Sequence, residues 1–169
     1  MSSTLVSNIS ELVTNSNPDL GIINDAAFVI EDGKVVWVGG AKSAPATDSK
    51  IDALGGTVTP GFVDSHTHAV FAGDRSADYL ARMSGGSYSS GGINTTVQAT
   101  RSASVEELRT QTRRIVEQAR SSGTTTLEIK SGYGLDIATE KKILTVAREF
   151  TNETTYLGAH VVPKDAKSR

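Results

Sequence analysis

From residue 60 onward, short apolar extended segments alternate with amphipathic helical ones, and this alternation limits the fold more than any other feature. "GFVDSHTHAVF" is strand-like. Ser104 then opens a helix, and Glu107 three residues on completes a capping box. Val105, Leu108, Thr112, Ile115 and Ala119 mark its expected inner face, and Gly123 is the expected stop. "TTTLEI" reads as a second strand, "SGYGLD" as a loop, and "TEKKILTVAREF" as a second helix with Ile143, Ala147 and Phe150 on one side. "TTYLGAHVV" reads as a third strand. Strands joined through helices must run parallel, because the return crossing is made by the helix. The class is α/β.

The residues before 60 follow another pattern. "AAFVIEDGKVVWVGG", residues 26–40, is two β-rich runs around Asp32-Gly33, a strong hairpin signal. "AKSAPATDSK" is loop-like, and "IDALGGTVTPGF" resumes extended character. The expected organisation is a small β-rich module over 1–59 and βα units over 60–169. "SGGSYSSGG", residues 84–92, lies inside a long connection between the first strand and first helix of the second part. A connection of that length in a compact domain is usually functional or disordered.

Composition narrows the chemistry. Among 169 residues there is no cysteine, so a disulfide framework and a thiolate metal site are excluded. Any metal must be held by nitrogen and oxygen. A formal net charge of −2 gives no field that would gather nucleic acid or an anionic membrane. Arg109, Arg113, Arg114 and Arg120 do cluster, but Glu106, Glu107 and Glu117 are interleaved at helical spacing, which reads as a solvated face. "MSSTLVSNIS" lacks the features of a signal peptide and no apolar run approaches a membrane span, so the expected location is the cytoplasm, with no membrane partner.

Two of the three histidines stand one residue apart, at His66 and His68. On a strand, residues i and i+2 point to the same side, with Cα atoms about 6.6–7 Å apart. Two imidazoles can converge from there on one ion at roughly 2.1 Å. Asp64 shares the phase and is a candidate to orient them. Bare alternation also fits two ordinary surface or core histidines, but the pair follows Pro60-Gly61 and ends an apolar strand, which favours a metal site.

"TPGFVDSHTH" resembles the first barrel strand of the amidohydrolase superfamily. The resemblance implies a fold that begins a metal-bearing (β/α)8 barrel of the TIM type, preceded by part of a small β-sandwich to which the 26–40 hairpin would belong. Within the superfamily, "HTHAVFAGDR", "GGINTTVQATR", "EIKSGYGLD" and "YLGAHVVP", in this order, are similar to the imidazolonepropionase family. That likeness implies hydrolysis of 4-imidazolone-5-propanoate to N-formimino-L-glutamate by a metal-activated water, in histidine degradation. It implies one divalent or trivalent ion, zinc or iron, on His66 and His68. Arg75 would hold the propionate carboxylate, and Tyr133 and His160 would contact the ring. From residue type alone, Arg75 reads as a solvated loop arginine, Tyr133 as readily as a turn tyrosine, and His160 as a buried histidine. Tyr88 is another residue the family brings near ligand, although this loop is shorter than in many relatives. Lys130, at the end of the second strand, reads as structural or as a support behind the site, since the carboxylated lysine of some superfamily members comes from a later strand.

The partner implied is a small imidazolone carboxylate, with a homodimer left open. The family's further histidine and aspartate ligands come from later strands, and "VVPKDAKSR" follows only about three of eight, so the chain is expected to be the N-terminal portion of such an enzyme. Two other readings stay open: a different cyclic-amide hydrolase or ring deaminase, and a non-catalytic structural protein of the same fold.

Overall fold

The computed structural model describes residues 2–16, 19–85, 92–158 and 160–162. The chain divides into two compact units, Met1–Pro60 and Gly61–Arg169.

In the first unit β1 (Ser3–Val13), β2 (Ile22–Glu31) and β3 (Lys34–Gly40) form an antiparallel ribbon, and β4 (Ser49–Asp52) and β5 (Thr57–Val58) pair with β1 in parallel. Asp32 and Gly33 make the two-residue turn between β2 and β3, both at positive φ (49° and 75°), as a hairpin of this hand requires. The register of β1 shifts between Val6 and Ile9, where Asn8 takes φ 57°. Strict alternation would put Val6 and Ile9 on opposite faces. The bulge returns both to one cluster with Leu12 and Ala26. Leu5, Ala27 and Val29 gather separately with Trp37.

In the second unit β6 (Phe62–Thr67), β7 (Thr124–Lys130) and β8 (Thr154–Thr155) form a parallel sheet in that order. α3 (Val105–Ser121) links β6 to β7, and α4 (Ile137–Ala147) links β7 to β8. Ser104 caps α3 as expected: its hydroxyl accepts from the Glu107 N–H at 3.2 Å, and the Glu107 carboxylate accepts from the Ser104 N–H at 2.8 Å. Gly123 follows α3 at φ 95°, the left-handed step that lets the chain turn into β7. Leu127 and Ile129 of β7 face Leu108 and Val116 of α3 and Ile143, Val146 and Ala147 of α4, together with Ala69 and Val70. That layer is the core of the unit.

Three expectations need correction. Val105 is exposed, and Val116 takes its place on the inner face, because the helix packs along Leu108, Thr112 and Val116. The third strand is regular only at Thr154–Thr155 among the described residues. The connection between β6 and α3 holds two helices that periodicity did not reveal, α1 (Ser76–Met83) and α2 (Ile93–Ser102). Residues 86–91, with Tyr88, lie outside the described residues. Among the described residues, no helix is long and apolar enough to cross a membrane.

Candidate functional site

Parallel βα units deliver their loops to the C-terminal ends of the strands, and His66, His68, Tyr133 and His160 come together there. His66 lies on β6 and His68 one residue past its end, and their Nε2 atoms are 3.4 Å apart. Two nitrogens bound at roughly 2.0–2.1 Å to a tetrahedral ion would stand about 3.3–3.4 Å apart, so this spacing fits a shared cation. His66 is exposed and His68 half-buried. Burial, then the neighbouring His160 and His66 rings, hold His68 below its ordinary pKa, opposed by the Lys130 carbonyl and the Glu140 carboxylate. A neutral imidazole is the form that binds a metal. The buried Nδ1 of His68 has no hydrogen-bond partner, so the Lys130 carbonyl favours the charged ring without completing a bond of normal geometry. Asp64 does not orient either ring: its carboxylate accepts the backbone N–H of His66 at 3.1 Å. Among the described residues, no group of three histidine, aspartate or glutamate side chains is placed to hold one ion, so the candidate donor set is the two imidazoles.

Tyr133 and His160 join the pair. The Tyr133 ring stacks on His68 at 4.8 Å between centroids, and His160 lies 4.9 Å from His68 and 5.9 Å from Tyr133. His160 is exposed, so the buried reading of it from sequence alone is wrong. Gly132 permits the approach: at φ 131°, a Cβ there would meet His160 at 3.3 Å. Arg75, also exposed, lines an open cavity of about 790 Å³ with His68, Phe71, Tyr79, Gln111 and Tyr133. Arg114, expected on a solvated face, lines it as well.

Several supporting residues escaped sequence reading. Glu140 sits in the first turn of α4 but is 4% exposed, its carboxylate turned into the Tyr133 loop. Arg101 reaches that loop from α2, its Nε donating to the Gly134 carbonyl at 2.7 Å. Glu128 accepts from Lys130 Nζ and Thr155 Oγ1 on neighbouring strands, and the Lys130 bond leads in holding its carboxyl below the usual range. Lys130 is thus occupied by an ion pair. An acidic residue in a helix's first turn ordinarily answers the helix dipole, so nothing local marked Glu140 as buried.

Solved structures share this architecture. The fold resembles that of a prolidase complexed with N-methylphosphonate-L-proline, at TM-score 0.59 and 15% identity over 99% of this chain and 36% of that one. It also resembles an atrazine chlorohydrolase variant from Arthrobacter aurescens complexed with zinc and atraton, at TM-score 0.55 and 19% identity over 90% and 35%. These likenesses are likenesses of fold, a mixed α/β architecture. No family model matches the chain. Sequence similarity is more specific: the chain is 54% identical to the imidazolonepropionase of Salinispora tropica over 100% of its length. It is 52% identical to that of Mycolicibacterium smegmatis over 98%. The chain belongs to the imidazolonepropionase family, and it spans 44% and 43% of the length of these two relatives.

Proposed function

We propose that the whole protein hydrolyses 4-imidazolone-5-propanoate to N-formimino-L-glutamate. Water adds across the ring amide: the C–N bond at the carbonyl breaks, the carbonyl carbon becomes a carboxylate, and the nitrogen leaves as part of the formimino group. The observation that carries this reading is the 3.4 Å separation of the His66 and His68 Nε2 atoms beside Tyr133 and His160. The naming of relatives about half identical in sequence supports it. In this reading, residues 60–169 are the first βα units of a (β/α)8 barrel, and residues 1–59 are the N-terminal part of a composite β-sandwich.

His66 and His68 would hold a divalent ion, zinc or iron, with the rest of its shell coming from other donors. Such an ion supplies a water whose pKa is lowered towards 7 and an electrophile for the carbonyl. The chain's own groups do the positioning. Arg75 presents a planar fork that can take both oxygens of a propionate carboxylate. The Tyr133 ring, already stacked on His68, offers a face for the planar heterocycle, and its hydroxyl a polar contact. His160, exposed on the same side, can exchange a hydrogen bond with a ring nitrogen or oxygen.

The test is turnover by the full-length, metal-loaded protein, following loss of the imidazolone and formation of formiminoglutamate. Dihydroorotate and aminated heterocycles serve as competing substrates. Preference for the imidazolone by at least about 10³ in kcat/KM, some 4 kcal/mol of transition-state binding, is expected. Equal or better turnover of another ring would transfer the protein to a different amidohydrolase activity. No turnover of any ring, with no bound metal, would leave the non-catalytic reading.

A further inference from the structure

We infer that Glu140 is a positioning residue, whose buried carboxylate sets where the Tyr133 ring stands against His68 and His160. The inference rests on the reading above in which Tyr133 touches substrate.

The connection from β7 to α4, residues 131–136, closes around this one side chain. Glu140 Oε2 accepts the Gly132 N–H at 2.8 Å, and Oε1 accepts those of Gly134 and Leu135, both at 2.8 Å. Three backbone donors of a short loop therefore end on one carboxylate, and Tyr133 lies between the anchored amides. Bonds to a charged acceptor are the stronger kind, and these donors meet the need of a carboxylate withdrawn from water.

The backbone they hold is not one the chain would choose. Leu135 sits at φ 57° and Gly132 at φ 131°. A left-handed leucine persists only where its surroundings determine it, and here its own N–H is tied to Oε1. Space is tight on both sides of the tyrosine. A Cβ on Gly134 would meet Glu140 N at 2.7 Å and Oε1 at 3.0 Å, while one on Gly132 would meet His160. Arg101 Nε of α2 donates to the Gly134 carbonyl at 2.7 Å. Donors and acceptors of the loop are thus fixed from two helices, and the ring between them has little freedom to drift.

A carboxylate that merely stabilised α4 would act differently from one that places a ligand contact. Loss of stability reduces the fraction of active molecules, which lowers kcat per chain and leaves KM unchanged. Misplacing a binding group raises KM.

The experiment is Glu140→Gln in the full-length, metal-loaded protein. The amide keeps one acceptor oxygen for Gly134 and Leu135 but sets an NH2 against the Gly132 N–H, two donors facing each other. Expected are a KM for the imidazolone carboxylate raised about tenfold or more, kcat within about threefold, and bound metal unchanged. In a Tyr133→Ala background the same substitution should add no further rise, because its effect passes through that ring. Backbone amides of residues 132–135 should exchange with deuterium faster in the variant, whatever the substrate. If Glu140→Gln does not fold, Glu140→Asp keeps the charge, withdraws the carboxylate by one methylene and is read the same way. Wild-type KM together with wild-type exchange overturns the inference, as does an undiminished KM effect in the Tyr133→Ala background. If the wild type does not turn over imidazolonepropionate, the proposed function fails by itself. Amide exchange then decides separately, and unchanged exchange overturns the anchor.

Discussion

Replacing Lys142 by methionine is expected to destabilise the α2 end of the second unit by about 2–3 kcal/mol. Lys142 lies on α4, half-buried, and its Nζ donates to the carbonyls of Thr100 at 3.0 Å, Arg101 at 3.1 Å and Ala103 at 2.7 Å. These are among the carbonyls that the C-terminal turn of α2 leaves without helical partners, where a cation also meets the negative end of the helix dipole. Methionine keeps most of the stem's packing and removes only the donor. One hydrogen bond to a charged group contributes about 1.5–3 kcal/mol net. Three bonds do not triple that figure, because they share one ammonium whose withdrawal from water is a single cost, and part of the lost bonding is recovered by water. Urea unfolding of the full-length protein is the assay. With a slope of roughly 2–3 kcal/mol per M, the midpoint should fall by about 1 M with the slope unchanged. Hydrogen exchange should rise first over residues 93–103. A midpoint lower by less than about 0.2 M, equivalent to some 0.5 kcal/mol, would show that water serves these carbonyls as well as the ammonium does.

Two other outcomes follow from the site. Arg75→Lys should raise KM by roughly 10- to 100-fold with metal content unchanged, since lysine keeps the charge and loses the fork; steady-state kinetics on the imidazolone carboxylate reads this, and an unmoved KM would remove Arg75 from carboxylate binding. In metal-free protein, stability should fall as pH drops below about 6.5, because the unfolded chain then binds a proton that the folded His68, with its lowered pKa, still refuses. The loss should level off below the folded value, and His68→Gln should remove this part of the slope; an identical slope in the variant would assign it to other groups.

Local rules made much of this legible in sequence. Asp32-Gly33 marked its hairpin and Ser104 with Glu107 marked its helix start, because both signals involve residues within three positions of one another. The period of two put His66 and His68 on one side, and their Nε2 atoms do lie 3.4 Å apart, although His68 falls one residue past the end of β6. What stayed hidden depends on partners distant in sequence. α2 buries Thr96, Val97 and Thr100 yet carries few large apolar residues, so its pattern was too polar to stand out among the surrounding glycines and serines. The roles of Arg101 and Lys142 require the C-terminal end of α2 to meet α4 and the loop before it, with partners 33 and some 40 residues away. Glu140 was the least visible. Its spacing matched an ordinary first-turn acid, and only the fold of residues 131–135 over it reveals the buried carboxylate.

Metal analysis of the full-length protein and of His66→Ala and His68→Ala after exhaustive dialysis tests most directly whether His66 and His68 together hold one ion. About one equivalent of zinc or iron is expected in the wild type, with either substitution removing most of it while the circular dichroism spectrum is preserved, as loss of a protein ligand from a four-coordinate site requires. Retention of near-stoichiometric metal in both variants would contradict the assignment, and so would a folded wild-type protein that binds none.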